Sequence, residues 1–76
     1  MVKRKSQVLN RVRDYRFAKN EMTQQELATA IGVARQTIIA IEQGKFCPGL
    51  ESALRLARVF EVPVDDLFML PEELAD

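Results

Sequence analysis

The sequence contains no histidine, a single cysteine and only three glycines among 76 residues. Without histidine and with one thiol, zinc sites and disulfide frameworks are excluded within one chain. Catalysis needs a base, a nucleophile or a metal constellation in a pocket. Neither such a constellation nor a Gly-rich phosphate loop is present, so the chain is not expected to be an enzyme, and no cofactor is expected. There is no signal peptide and no apolar run of membrane length. That points to a reducing cytoplasm and to no membrane partner, with Cys47 an inert, partly buried thiol. Repeats and low-complexity segments are also missing.

What is present is short and apolar. Seventy-six residues make one domain, and a chain of this size buries only about 60% of its unfolded surface. Hydrophobic residues are 47% of the sequence, which leaves apolar surface for a partner. Net charge is zero, but it is divided unevenly. Residues 1–46 hold nine Lys/Arg and four acids, a balance of +5, and residues 47–76 hold two and seven, a balance of −5. Such asymmetry fits a basic face turned toward phosphate and an acidic end turned away from it.

The stretch TQQELATAIGVARQTIIAIEQGK, residues 23–45, organises the rest. Thr23 with Glu26 makes a capping box for a helix start. Leu27, Ala28 and Ile31 give an apolar stripe that ends at Gly32, suited to the left-handed backbone of a helix stop. A second helix begins at Arg35, buries Ile38 and Ile41, and ends near Gly44. Two short helices joined by a Gly-containing turn form a helix-turn-helix unit. Ala28 is small because two steeply crossing helices leave no room for bulk at the turn. Counting from Gln24, the unit has alanine fifth, glycine ninth and isoleucine fifteenth and eighteenth.

At about 100° per residue, Ala34, Ile38 and Ile41 share one side of the second helix. Gln36, Ile39, Ala40 and Gln43 lie opposite, with Arg35 and Thr37 on the flanks. The exposed first turn is thus Arg-Gln-Thr. Arginine can pair with guanine O6/N7 and glutamine with adenine N6/N7 in a major groove, and Ile39 can meet a thymine methyl. The expected base contacts are Arg35, Gln36, Thr37, Ile39 and Ala40. Alternatively, these are solvated helix residues, or Ile39 and Ala40 belong to a protein-binding surface.

The segments MTQQELATAIGVARQTIIAIEQGKF and LESALRLARVFEVPVDDLF resemble the DNA-binding domain of phage Cro/repressor proteins, the XRE family of helix-turn-helix regulators. The resemblance covers roughly residues 8–69. It implies an all-α, five-helix domain that binds an operator as a two-fold dimer, and it implies that Gln24 contacts a DNA phosphate. The chain departs from the family in three places. Ala34 stands where Ser or Thr usually caps the helix, which weakens that start by about 1 kcal/mol. Gly49 replaces a common Ser, and Phe46 a frequent Tyr.

In chain order, residues 1–6 form a basic arm, 7–70 the helix-turn-helix domain and 71–76 an acidic tail. The arm either lies along DNA, where Lys3, Arg4 and Lys5 meet phosphates or a minor groove, or is a frayed tail. The first helix is expected over about Gln7–Lys19, with Val8, Val12 and Tyr15 inward and Phe17 under the Asn20–Met22 link. Further phosphate contacts are expected from Gln43, Lys45 and Arg16, with the amides around Gly44. Glu42 is expected to pair with a helix-one arginine. A fourth helix, Leu50–Phe60, turns Leu50, Leu54, Ala57 and Val59 or Phe60 inward. A fifth runs from Pro63 to about Leu70, with Leu67 and Phe68 closing the core. Met69, Leu70 and Leu74 are left without a place in the core, as a dimer patch or as a loosely ordered end.

The reading that results is a sequence-specific regulator of double-stranded DNA, a dimeric repressor with helix 35–43 in the major groove. No small-molecule ligand is expected. The alternative is an antitoxin-like or adaptor module that kept the fold for protein interaction.

Overall fold

The structure, a computed structural model, describes residues 8–71. Among the described residues there are five helices: α1 (Val12–Ala18), α2 (Gln24–Ile31), α3 (Arg35–Glu42), α4 (Leu50–Phe60) and α5 (Val64–Leu67). Two dipeptide strands, β1 (Leu9–Asn10) and β2 (Phe68–Met69), pair antiparallel with Leu9 opposite Met69 and Asn10 opposite Phe68. The architecture is the expected all-helical bundle, closed at its two ends by this small ribbon.

Local signals set the central helices. The Thr23 hydroxyl accepts from the Glu26 amide at 3.0 Å, and the Glu26 carboxylate accepts from the Thr23 amide at 2.8 Å. Both halves of the capping box are therefore made, and two orphan donors of the first turn are satisfied. Helix α2 stops at Gly32 in the left-handed region, φ 77°, with the Gly32 and Val33 amides both donating to the Ala28 carbonyl. Ala28 is fully buried where α2 meets α3. A larger side chain would wedge the two helices apart.

Leu27, Ala28 and Ile31 of α2, Ile38 and Ile41 of α3, Val12 of α1, Leu56, Ala57 and Phe60 of α4, and Leu67 of α5 form one core. Tyr15 stacks obliquely on Phe60, ring centroids 5.8 Å apart. In so short a chain this single cluster holds the orientation of α3.

Several expectations are corrected. The first helix starts at Val12, not near Gln7, because the Asn10 carboxamide oxygen caps the Val12 amide at 3.1 Å while its Nδ2 donates to the Ile41 carbonyl at 2.9 Å. The preceding backbone is extended and paired, and Val8 is half-buried outside any helix. Helix α5 ends at Leu67 and not at Leu70, since Phe68 and Met69 are taken up by β2. Met69 is consequently buried, which removes it from the supposed dimer patch. Leu70 is exposed, and Leu74 lies outside the described residues. Cys47, expected to be partly buried, is exposed in the loop after α3.

Helix α4 has the expected bounds but a different rotation. Leu50 is 75% exposed and Leu54 52%, whereas Leu56, Ala57 and Phe60 are buried. At about 100° per residue the centre of the buried face lies roughly a quarter turn from Leu50 and Leu54. Phe17 does not pack under the α1–α2 link either. It is half exposed, with the Arg13 and Arg16 guanidinium carbons 5.2 and 4.8 Å from its ring centroid.

Candidate nucleic-acid interface

The surface of α3 is built from its hidden side outward. Ile38 and Ile41 are locked into the core, so the opposite side must face away from it. Helix α3 starts from Ala34 in extended backbone, φ −76° and ψ 152°, with no side-chain cap, as the missing hydroxyl requires. Arg35 and Gln36 are exposed in the first turn; Thr37, Ile39 and Ala40 are half-buried; Gln43 and Lys45 are exposed at the exit. The first turn therefore presents donors and no acid.

An open cleft of about 860 Å³ runs along this side, bordered by α1, the start of α2 and α3. It brings Gln24, Arg35, Ile39 and Gln43 together, with Arg13 and Phe17 on the α1 lip. Gln36, Thr37, Ala40 and Lys45 are not among the residues lining it. Arg13 and Phe17 did not figure among the expected site residues. Their i, i+4 spacing on one helix is the signal that could have placed them together.

Beneath the cleft lies a buried polar network. Arg16 Nε donates to Glu42 Oε2 at 2.7 Å and Arg16 Nη2 to Glu42 Oε1 at 3.0 Å, a two-pronged ion pair. Arg16 Nη1 donates to the Met22 carbonyl at 2.8 Å, and Gln24 Nε2 donates to Glu42 Oε1 at 3.1 Å. The two side chains are only 8% and 6% exposed. Glu42 thus pairs with a helix-one arginine, and the one acid of α3 is neutralised and withdrawn from the surface.

Arg16, expected as a phosphate contact, has its guanidinium committed to this network and buried; its work is to tie α1 to α3. The amides around Gly44 are likewise committed. Gly44 donates to the Ile41 carbonyl at 3.0 Å, and Lys45 and Phe46 to the Ala40 carbonyl at 2.9 and 3.3 Å. Only the side chains of Gln43 and Lys45 remain for a phosphate at that corner. Gln24 is half-buried, its amide nitrogen anchored on Glu42, beside the open N-terminus of α2.

Among the described residues no group of three or more His, Cys, Asp or Glu side chains could hold a metal ion. No helix among them is long and apolar enough to cross a membrane.

The chain is similar in sequence and in fold to known proteins. A family model described as helix-turn-helix matches residues 12–67. An uncharacterized HTH-type transcriptional regulator of Archaeoglobus fulgidus is 46% identical over 63 residues, covering 83% of this chain and 87% of that one. The cryptic phage CTXphi transcriptional repressor RstR of Vibrio cholerae is 36% identical over 58 residues, 76% of this chain and 51% of that protein. A crystal structure from Bacteroides fragilis, assigned as a DNA-binding protein, superposes with a TM-score of 0.70 at 26% identity, covering 80% of this chain and 97% of that one.

Proposed function

The chain belongs to the helix-turn-helix family of transcriptional regulators, and on that premise we propose that it is a cytoplasmic, sequence-specific repressor that binds duplex DNA as a homodimer. Helix α3 enters the major groove. Arg35 and Gln36 read base edges, and Thr37, Ile39 and Ala40 complete the contact, Ile39 against a thymine methyl. Gln24, Gln43 and Lys45 hold the two flanking phosphate backbones and set the register without reading sequence. Two copies related by a two-fold axis read half-sites about 34 Å apart.

The observation that carries this reading is the two-sidedness of α3. One side is sealed by Ile38 and Ile41 in the core, and the other leaves Arg35 and Gln36 in solvent beside an open cleft. With Glu42 neutralised beneath it, no α3 acid opposes a polyanion. The name of RstR, a transcriptional repressor, favours repression over activation. Repression needs no chemistry, only occupancy of a promoter.

Selection of bound sequences from a random duplex pool, followed by footprinting, tests the proposal. The expected result is one enriched site with inverted half-sites and steeply salt-dependent affinity. Recovery of no preferred sequence, with equal indifference to random duplex in dilute buffer, would refute it.

A further inference from the structure

The rotation of α4 leaves an apolar strip uncovered. Leu50 and Leu54, one helical turn apart, are 75% and 52% exposed, and Phe46, 50% exposed, precedes them in the loop that leaves α3. Nothing within the described residues covers the two leucines. Beside the strip, about 100° further round the helix, stand Glu51 and Arg55, joined at 2.6 Å and exposed.

The order of these groups is self-complementary. When two copies of α4 pack antiparallel across a two-fold axis near residues 52–53, Leu50 of one copy meets Leu54 of the other, and the reverse. The same operation sets Glu51 of each copy beside Arg55 of its partner, on one edge of the seam. An isologous contact of this kind requires a patch that matches itself under the two-fold. Reversing a helix with acid at one end of its flank and base at the other supplies that match. A foreign partner would need no such internal symmetry.

We infer that the exposed face of α4, centred on Leu50 and Leu54 and edged by Glu51 and Arg55, is the surface through which two copies of this chain dimerise. The inference rests on the dimeric DNA-binding reading above and replaces the Met69–Leu74 patch suggested by sequence. Because α4 follows α3 after one seven-residue loop, residues 43–49, a two-fold through this strip ties both α3 helices to one rigid seam. That arrangement is what a fixed half-site spacing demands.

Sedimentation equilibrium of the full chain, with duplex binding measured on the same samples, tests it. The wild type should be a dimer at micromolar concentration. Leu50→Glu with Leu54→Glu should weaken the dimer roughly a hundred-fold or more, given the apolar area removed, while circular dichroism stays helical because both leucines lie outside the buried core cluster. Should that pair of changes disturb folding, two charge variants at exposed positions decide instead. Glu51→Arg alone and Arg55→Glu alone each place like charges across the seam and weaken the dimer. An equimolar mixture of the two restores opposite charges at both contacts, and mixed dimers form in preference to either homodimer.

A monomeric wild type overturns the inference, as do variants that dimerise unchanged or a mixture showing no preference for mixed dimers. The DNA-binding reading fails separately. A monomeric variant that still binds a single half-site with steep salt dependence upholds it, whereas loss of duplex binding by the wild-type dimer defeats that reading alone.

Discussion

Truncating Glu42 to alanine probes the contact that holds α3 against the rest of the domain. In the folded chain its carboxylate receives three hydrogen bonds, two from Arg16 and one from Gln24. Glu42→Ala leaves a guanidinium that is 8% exposed with the Met22 carbonyl as its hydrogen-bond acceptor and no carboxylate beside it among the described residues. An uncompensated buried charge of this type costs about 3–5 kcal/mol. Domains of this length have roughly 4–11 kcal/mol of total stability, so the loss is a large fraction of the whole. At about 4–8 °C per kcal/mol for a domain this small, the thermal midpoint should fall by roughly 12–40 °C. The double change Arg16→Met with Glu42→Leu removes both charges and fills the space with apolar atoms, and it should recover most of that loss. Urea and thermal unfolding followed by circular dichroism, run on Arg16→Met, Glu42→Leu and the double, give the coupling energy directly. A Glu42→Ala cost below about 1 kcal/mol, the range of solvent-exposed ion pairs, would refute the claim that this pair is a buried tie. So would strictly additive single and double variants.

Four further substitutions probe the helix ends and the DNA face. Ala34→Ser supplies the hydroxyl that the start of α3 lacks and should stabilise the domain by about 1 kcal/mol, read as a higher urea midpoint at constant slope. Glu61 ends α4 in the left-handed region, φ 57°; Glu61→Gly relieves that backbone and should stabilise by roughly 0.5–1 kcal/mol, whereas no change in the unfolding midpoint would argue that the cap is unstrained. On the DNA face the two classes of contact should separate. Arg35→Ala should weaken the preferred site by about 1–3 kcal/mol and relax discrimination at one base pair, while Lys45→Ala should weaken all duplexes alike and lower the salt slope by about one. Identical behaviour of the two in a binding titration against salt and sequence would remove the distinction between reading and positioning.

What the sequence by itself determined was the helix-turn-helix unit, because the forces that shape it act within a few residues. The capping box needs only Thr23 and Glu26, the stop at Gly32 needs only a residue without Cβ, and the crossing needs a small Ala28. From the 3.6-residue period it also followed that Ile38 and Ile41 face inward and Arg35 and Gln36 outward. A pair between Glu42 and some helix-one arginine was expected, but the sequence did not say which arginine. What only the tertiary structure decided were features that join distant residues. Arg16 and Glu42 are 26 positions apart, so nothing local in α1 tells that the arginine is spent inside rather than offered to phosphate. The β1–β2 pairing joins residues 9–10 to 68–69, and it overrides helical periodicity at both ends of the bundle. The rotation of α4 was hidden as well, since Leu50, Leu54, Leu56 and Ala57 are all apolar and periodicity admits more than one buried face. Packing against the other helices resolves it: Leu56, Ala57 and Phe60 are buried, and Leu50 and Leu54 are left facing solvent.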